Sequence, residues 1–194
     1  MIRKNSYFIL FVFIATFSLA QAQRISERGS GPIVLEKHQL RFDLLSPGIS
    51  YELGLFRNQT VSTSLGLAAA TYQEGYALGF AMNNRYRYYH NFNRREELGK
   101  RVSGNSGNYI AAAQAIFFSQ LRLATDIEPD DYNLGFYGLV YGIQRTYDSG
   151  FNINVELGGG YYRGDGAPSG YGPLFSLNFG WVATKRKSRK PTYD

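Results

Sequence analysis

Between residues 37 and 184, apolar residues alternate singly with polar or small ones in repeated short runs. The clearest run is 151–162, where Phe151, Ile153, Val155 and Leu157 interleave with Asn152, Asn154, Glu156 and Gly158. Single alternation is the period of a β-strand, whose successive side chains point to opposite faces. Eight strands are predicted. Strand one, 37–45, puts Leu40, Phe42 and Leu44 on one face and Gln39, Arg41 and Asp43 on the other. Strand two, 49–56, sets Ile49, Tyr51, Leu53 and Leu55 against Ser50, Glu52 and Gly54. Strand three, 60–71, sets Val61, Leu65 and Leu67 against Ser62, Ser64, Gly66 and Ala68. Strand four, 76–88, separates Tyr76, Leu78, Phe80, Met82, Tyr86 and Tyr88 from Ala77, Gly79, Ala81, Asn83, Arg85 and Arg87.

Strand five, 109–118, contains Ala111-Ala112-Ala113, which leaves its facing open. Strand six, 134–146, offers Tyr137, Leu139, Tyr141 and Ile143 against Gly138, Gly142 and Gln144. Arg145 then falls on the apolar face, so a rim position or a bulge is expected there. Strand seven is 151–162. Strand eight, 174–184, alternates Phe175, Leu177, Phe179 and Trp181 with Ser176, Asn178, Gly180 and Val182.

The start of the chain decides which face is greasy for what reason. Arg3 and Lys4 precede an apolar stretch over 7–17, and Ala20-Gln21-Ala22 forms a small-residue cleavage site. These are the parts of a secretory signal, so 1–22 is expected to be removed and the mature chain to begin at Gln23. The longest later apolar run, 110–118, is interrupted by Gln114 and is far short of the roughly 20 residues a spanning helix needs. An exported chain of this kind enters a membrane only as a closed barrel, in which every backbone group is satisfied internally. The expected organisation is a signal peptide (1–22), a leader (23–36), a barrel (37–184) and a basic tail (185–194). An even strand count keeps both barrel ends in the periplasm.

A soluble barrel or sandwich with an apolar core shows the same alternation. The composition of the polar face separates the two. It is rich in Gly, Ala, Ser and Asn and poor in Lys and Glu, whereas a solvated sheet surface is usually charged. The chain has no cysteine, so a closed hydrogen-bond ladder rather than disulfides is expected to stabilise it. Tyr and Phe are abundant, as aromatic girdles require. The net charge is +6, but Arg3 and Lys4 belong to the signal, and Lys185, Arg186, Lys187, Arg189 and Lys190 to the tail. The barrel itself is nearly neutral, so nucleic acid is not an expected partner.

The polar face carries Arg41, Asp43, Glu52, Arg85, Arg87 and Glu156. Buried charges persist when paired. The lumen of an eight-stranded barrel is just wide enough for side chains to fill it, which predicts a balanced charge network plugging the interior. Arg41, Asp43 and Glu52 lie on adjacent strands and are expected to meet directly. A selective solute path is the alternative, though aqueous channels belong to wider barrels.

The expected outer loops are Ser46-Pro47-Gly48, Gln73-Glu74-Gly75, 119–131 and 163–172. The third holds Asp126, Glu128, Asp130 and Asp131, without the ordered spacing of a calcium loop. The fourth holds Arg163-Gly164-Asp165, a tripeptide known from integrin recognition. The basic segment 93–107 is long for a periplasmic turn. His38 and His90 fall near periplasmic strand ends and face outward, and neither has a serine placed as its partner. No G-x-S-x-G elbow, phosphate loop or His/Cys metal cluster occurs, so no catalytic, cofactor-binding or metal residues are expected.

Three stretches carry a resemblance: Arg85-Tyr86-Arg87-Tyr88-Tyr89 with Ser103-Gly104-Asn105-Ser106-Gly107-Asn108-Tyr109, then Tyr141-Gly142-Ile143-Gln144-Arg145-Thr146-Tyr147-Asp148-Ser149-Gly150-Phe151, and Leu177-Asn178-Phe179-Gly180-Trp181. Together they resemble small outer-membrane β-barrel proteins of Gram-negative bacteria, many of them domains of unknown function. The resemblance implies a barrel and no particular activity. The expectation is therefore an all-β, eight-stranded, antiparallel up-and-down transmembrane barrel in the cell outer membrane, non-enzymatic, with a structural, envelope-maintenance or surface-interaction role. Outer-membrane lipid and, during biogenesis, the barrel-assembly machinery are the expected partners. A lipid-modifying outer-membrane enzyme and a soluble periplasmic barrel binding an apolar ligand are the alternatives.

Overall fold

The computed structural model describes residues 35–72, 75–125, 133–165 and 169–184. They form β1 (His38–Asp43), β2 (Gly48–Phe56), β3 (Gln59–Tyr72), β4 (Gly75–Tyr89), α1 (Phe92–Glu97), β5 (Gly107–Thr125), β6 (Asn133–Thr146), β7 (Phe151–Asp165) and β8 (Gly170–Val182). Each strand pairs antiparallel with the next. The sheet closes where β1 meets β8 through Arg41–Val182, Phe42–Trp181 and Asp43–Gly180. We call the end where β1 begins and β8 finishes the near end, and the opposite one the far end. The proposed signal peptide, most of the leader and the basic tail lie outside the described residues.

The alternation sorts the side chains by chemistry. On β7, Asn152, Asn154 and Glu156 are buried in the interior, while Leu157 is 63% exposed on the outer surface. Phe42, Ile49, Leu65, Leu139 and Phe175 are likewise exposed outside. On β5, where the alanines left facing open, Tyr109, Ala111, Ala113 and Phe117 point inward and Ile110 outward. The interior is polar in its middle and near half. Towards the far end it carries apolar residues, with Ala77, Ala81 and Phe117 packed against Ala68 and Leu134.

Several boundaries differ from those expected. β1 is shorter than 37–45, because Leu44 and Leu45 already belong to the turn. β5 runs on to Thr125, past the expected 118, and its ladder with β4 shifts register around Gly79. β7 continues to Asp165. Arg163-Gly164-Asp165, expected in a loop, is therefore strand, paired with Gly135, Leu134 and Asn133 of β6. β8 begins at Gly170 rather than at 174. The four acidic residues Asp126, Glu128, Asp130 and Asp131 lie outside the described residues. The long basic segment keeps the strand count intact by folding: Phe92–Glu97 is helical, Gly99 ends it in the left-handed conformation that glycine tolerates, and the rest folds over the near end.

The hairpin β1–β2 is much shorter than its neighbours. On the β2 side, β3 is paired only up to Gly66, with one further backbone bond from Leu67 N–H to Pro47 O. On the β1 side, β8 is paired only from Gly180 on, with one further bond from Leu44 N–H to Phe179 O. Among the described residues no strand pairs with the open edges 68–72 of β3 and 170–178 of β8. The barrel wall thus has a notch in its far half. Pro173 stands on this edge, where its missing N–H breaks no ladder.

Candidate functional site

All six charged residues expected in the lumen are buried there, each 3–6% exposed. Their arrangement follows from strand geometry. Arg41 and Asp43 are two apart on β1 and so share a face, as do Arg85, Arg87 and Tyr89 on β4. Arg41 Nε lies 2.5 Å from Asp43 Oδ1. The same guanidinium reaches Ser50 Oγ at 3.2 Å and Asn152 Oδ1 at 3.1 Å, and Ser50 also donates to Asp43.

Glu52 does not join Arg41 and Asp43, contrary to expectation. Its side chain reaches towards β4 instead. It accepts from Arg87 Nη1 at 3.0 Å, Tyr89 Oη at 2.9 Å and Thr60 Oγ1 at 2.7 Å. Adjacency on neighbouring strands therefore misjudged the pairing, because arginine on β4 is long enough to reach past β3. Glu156 on β7 accepts from Arg85 Nε at 3.1 Å and from Tyr109 Oη at 2.8 Å. Arg87 Nη2 is 3.9 Å from Glu156 and links the two clusters. Its guanidinium also stacks 4.7 Å from the Tyr109 ring centroid. Three cations and three anions thus balance in two connected groups.

Tyr89 and Tyr109 were not foreseen as lumen residues, since aromatics read naturally as part of the greasy face. Gly142, opposite Tyr109 on β6, is the signal that was present. A Cβ at Gly142 would fall 2.1 Å from Tyr109 Cζ, so the bare glycine makes the seat for this ring. Gln144 completes the group by accepting from Arg87 Nη1 at 3.1 Å.

The near end is lidded. Glu36 N–H donates to Asn105 Oδ1 at 2.8 Å, and Gly104 N–H donates to Glu36 Oε1 at 3.1 Å. Thr146 Oγ1 donates to Gly104 O at 2.6 Å. Leu35, Phe92 and Val102 are buried beneath, with Phe92 stacked on Tyr89 at 4.5 Å between ring centroids. Partial burial, and then the proximity of Arg145, lower the Arg95 guanidinium from its ordinary pKa.

Arg145 sits at the rim without a bulge in β6. Its guanidinium donates to Gly107 O at 2.9 Å and to Asn108 Oδ1 at 2.7 Å. His38 and His90 are both exposed at the near end. His38 Nδ1 lies 2.5 Å from Tyr51 Oη, and the His90 ring is 5.7 Å from that of Tyr141. Among the described residues no group of His, Cys, Asp or Glu is arranged to hold a metal ion.

Beside the charges lies a cavity of about 320 Å3. Its deep wall includes Ser50, Ser62, Asn83, Arg85 and Glu156. Its lining also includes Ala68 and Ala69 of β3, and Leu174, Phe175 and Leu177 of β8, from both faces of the wall. The cavity and the notch are therefore continuous. Such a site offers hydroxyls, amides and a balanced field of charge. Compared with known proteins, the chain matches no family model, no curated protein and no solved structure.

Proposed function

We propose that this protein is a non-enzymatic integral barrel of the bacterial outer membrane, with a structural, envelope-maintenance or surface-interaction role. The observation that carries this reading is the inversion of ordinary burial: Leu157 is 63% exposed on the outside while Glu156 beside it is 3% exposed within. A soluble sheet protein would turn that pair the other way. The outer apolar band has the height of a bilayer core. From Tyr171 to Trp181 along β8 the chain advances ten residues at about 3.4 Å each. Tilted by about 40°, that rise gives about 26 Å, against an apolar band of about 25 Å in outer-membrane barrels. Tyr171 and Tyr161 near the far end, and Trp181 and Tyr88 near the near end, place exposed aromatic rings where girdles belong.

With an export signal at the N-terminus, the near end faces the periplasm. The lumen charges then serve as struts between strands, and the lid and the far-half apolar side chains restrict passage along the axis. Membrane fractionation followed by electrophoresis with and without heating tests the reading. Recovery in the outer-membrane fraction with heat-modifiable migration is expected. Recovery in the soluble periplasmic fraction contradicts it.

A further inference from the structure

The notch, the cavity and the charges form one continuous feature, which the structural role above leaves unused. Among the described residues, the open edges 68–72 of β3 and 170–178 of β8 leave backbone N–H and C=O groups without ladder partners. In hydrocarbon such edges are tolerated only where they line a polar cavity. Here they border one. Its mouth is apolar or small, at Ala69, Phe175 and Leu177, and its depth is polar, at Ser64, Asn178 and the Arg85–Glu156 pair. Among the described residues, apolar side chains stand towards both ends of the axis. The lid of Leu35, Phe92 and Val102 closes the near end, and Phe117, Phe136 and Tyr162 occupy the far half. The cavity also opens sideways through the wall, where the outward-facing Ala69, Phe175 and Leu177 border it.

The lining also points to the kind of occupant. The wall carries both arginines and glutamates, each already paired, so its field is close to balanced. A net charge would be poorly compensated there, whereas a group bearing one charge of each sign would be matched by both. A volume of about 320 Å3 is small for a ligand site, whose range starts at roughly 300 Å3. It holds a head group and not a whole lipid.

We propose that the notch between β3 and β8 admits the zwitterionic phosphate–ammonium head group of a membrane phospholipid sideways into the lumen, while its acyl chains stay outside against Ala69, Phe175 and Leu177. This rests on the membrane reading above. The head group lies on the Ser64–Asn178 wall and the chains continue the outer apolar band. No bond is made or broken.

Amide NMR of the full-length mature protein in phosphatidylcholine nanodiscs tests the idea. The probe is phosphatidylcholine carrying a nitroxide on its choline. The account expects loss of the Ser64, Ser176 and Asn178 amide signals through paramagnetic broadening. It also expects their recovery in Ala69→Trp, which fills the mouth from the outer face, and a similar recovery in Ala69→Phe. Heat-modifiable migration of each variant shows that the barrel is folded. If the protein is inserted and folded but these signals are equally strong with and without the labelled lipid, sideways admission is overturned and the membrane reading stands. If the signals vanish equally in the wild type and both folded variants, the notch is not the route and the proposal fails. Broadening by a water-soluble gadolinium complex but not by the labelled lipid marks a solvent pocket and also overturns it. Failure to insert into the nanodisc at all overturns the membrane reading itself.

Discussion

Arg87 Nη1 on β4 lies 3.0 Å from Glu52 Oε2 on β2, reaching past the inner face of β3, although 35 residues separate them in the chain. Both are buried, so removing one strands the other. Glu52→Gln keeps the shape and loses the charge. It is expected to lower the unfolding free energy by about 3–5 kcal/mol, the range for breaking a buried ion pair. Replacing both residues, as Glu52→Gln with Arg87→Met, is expected to cost less than the sum of the single changes. Urea titration of vesicle-inserted protein reads both values. Strict additivity contradicts the pairing.

Tyr109 needs the bare backbone of Gly142. Gly142→Ala would place a methyl 2.1 Å from the ring and turn the hydroxyl away from Glu156. The expected destabilisation is about 1–3 kcal/mol, as for other overpacked sites. The same alanine added to Tyr109→Ala, where no ring remains, is expected to cost far less. Equal effects in both backgrounds, measured by the same titration, contradict the seat.

The lid depends on Asn105, whose φ of 55° lies in the left-handed region and whose side chain accepts from Glu36 N–H. Asn105→Ala loses the hydrogen bond, worth about 1–3 kcal/mol when a buried group is left without a partner. Hydrogen exchange at the Glu36 amide is expected to accelerate, while exchange at Arg85 on β4 stays unchanged. An unchanged Glu36 rate means that the lid is held elsewhere.

A non-enzymatic barrel makes a further demand. Replacing His38 and His90 together by alanine is expected to leave the lipid composition of the producing cell's outer membrane as it is with the wild-type protein. Altered acylation in the double variant relative to wild type favours a lipid-modifying activity.

The strands were legible because each face carries a different chemistry. Phe151 to Tyr162 announces its own facing, and so does the Arg85–Arg87 run. β5 was silent because consecutive alanines suit either side. Ends were less legible than middles. Alternation simply continues through Tyr161 and Arg163, and nothing in the residue types marks the β7 strand's last paired position. The charged residues were visible, but their partners were not, since partner choice depends on side-chain reach across a closed sheet. The lid was hidden because it joins Glu36 to Asn105, distant in sequence and irregular in backbone. The notch was not read from the sequence, because the lengths to which β3 and β8 outrun the β1–β2 hairpin are set by strand ends that no residue type marks.

The central claim is that the odd residues of β7 face lipid and the even ones face a lumen. The protein has no cysteine, so single cysteines at 152 to 158 carry a fluorophore without interference. Quenching by brominated acyl chains in vesicles reads the facing directly. The account predicts strong quenching at Ile153, Val155 and Leu157 and weak quenching at Asn152, Asn154 and Glu156. Strong quenching at the even positions, or none at any position in vesicle-associated protein, would contradict it.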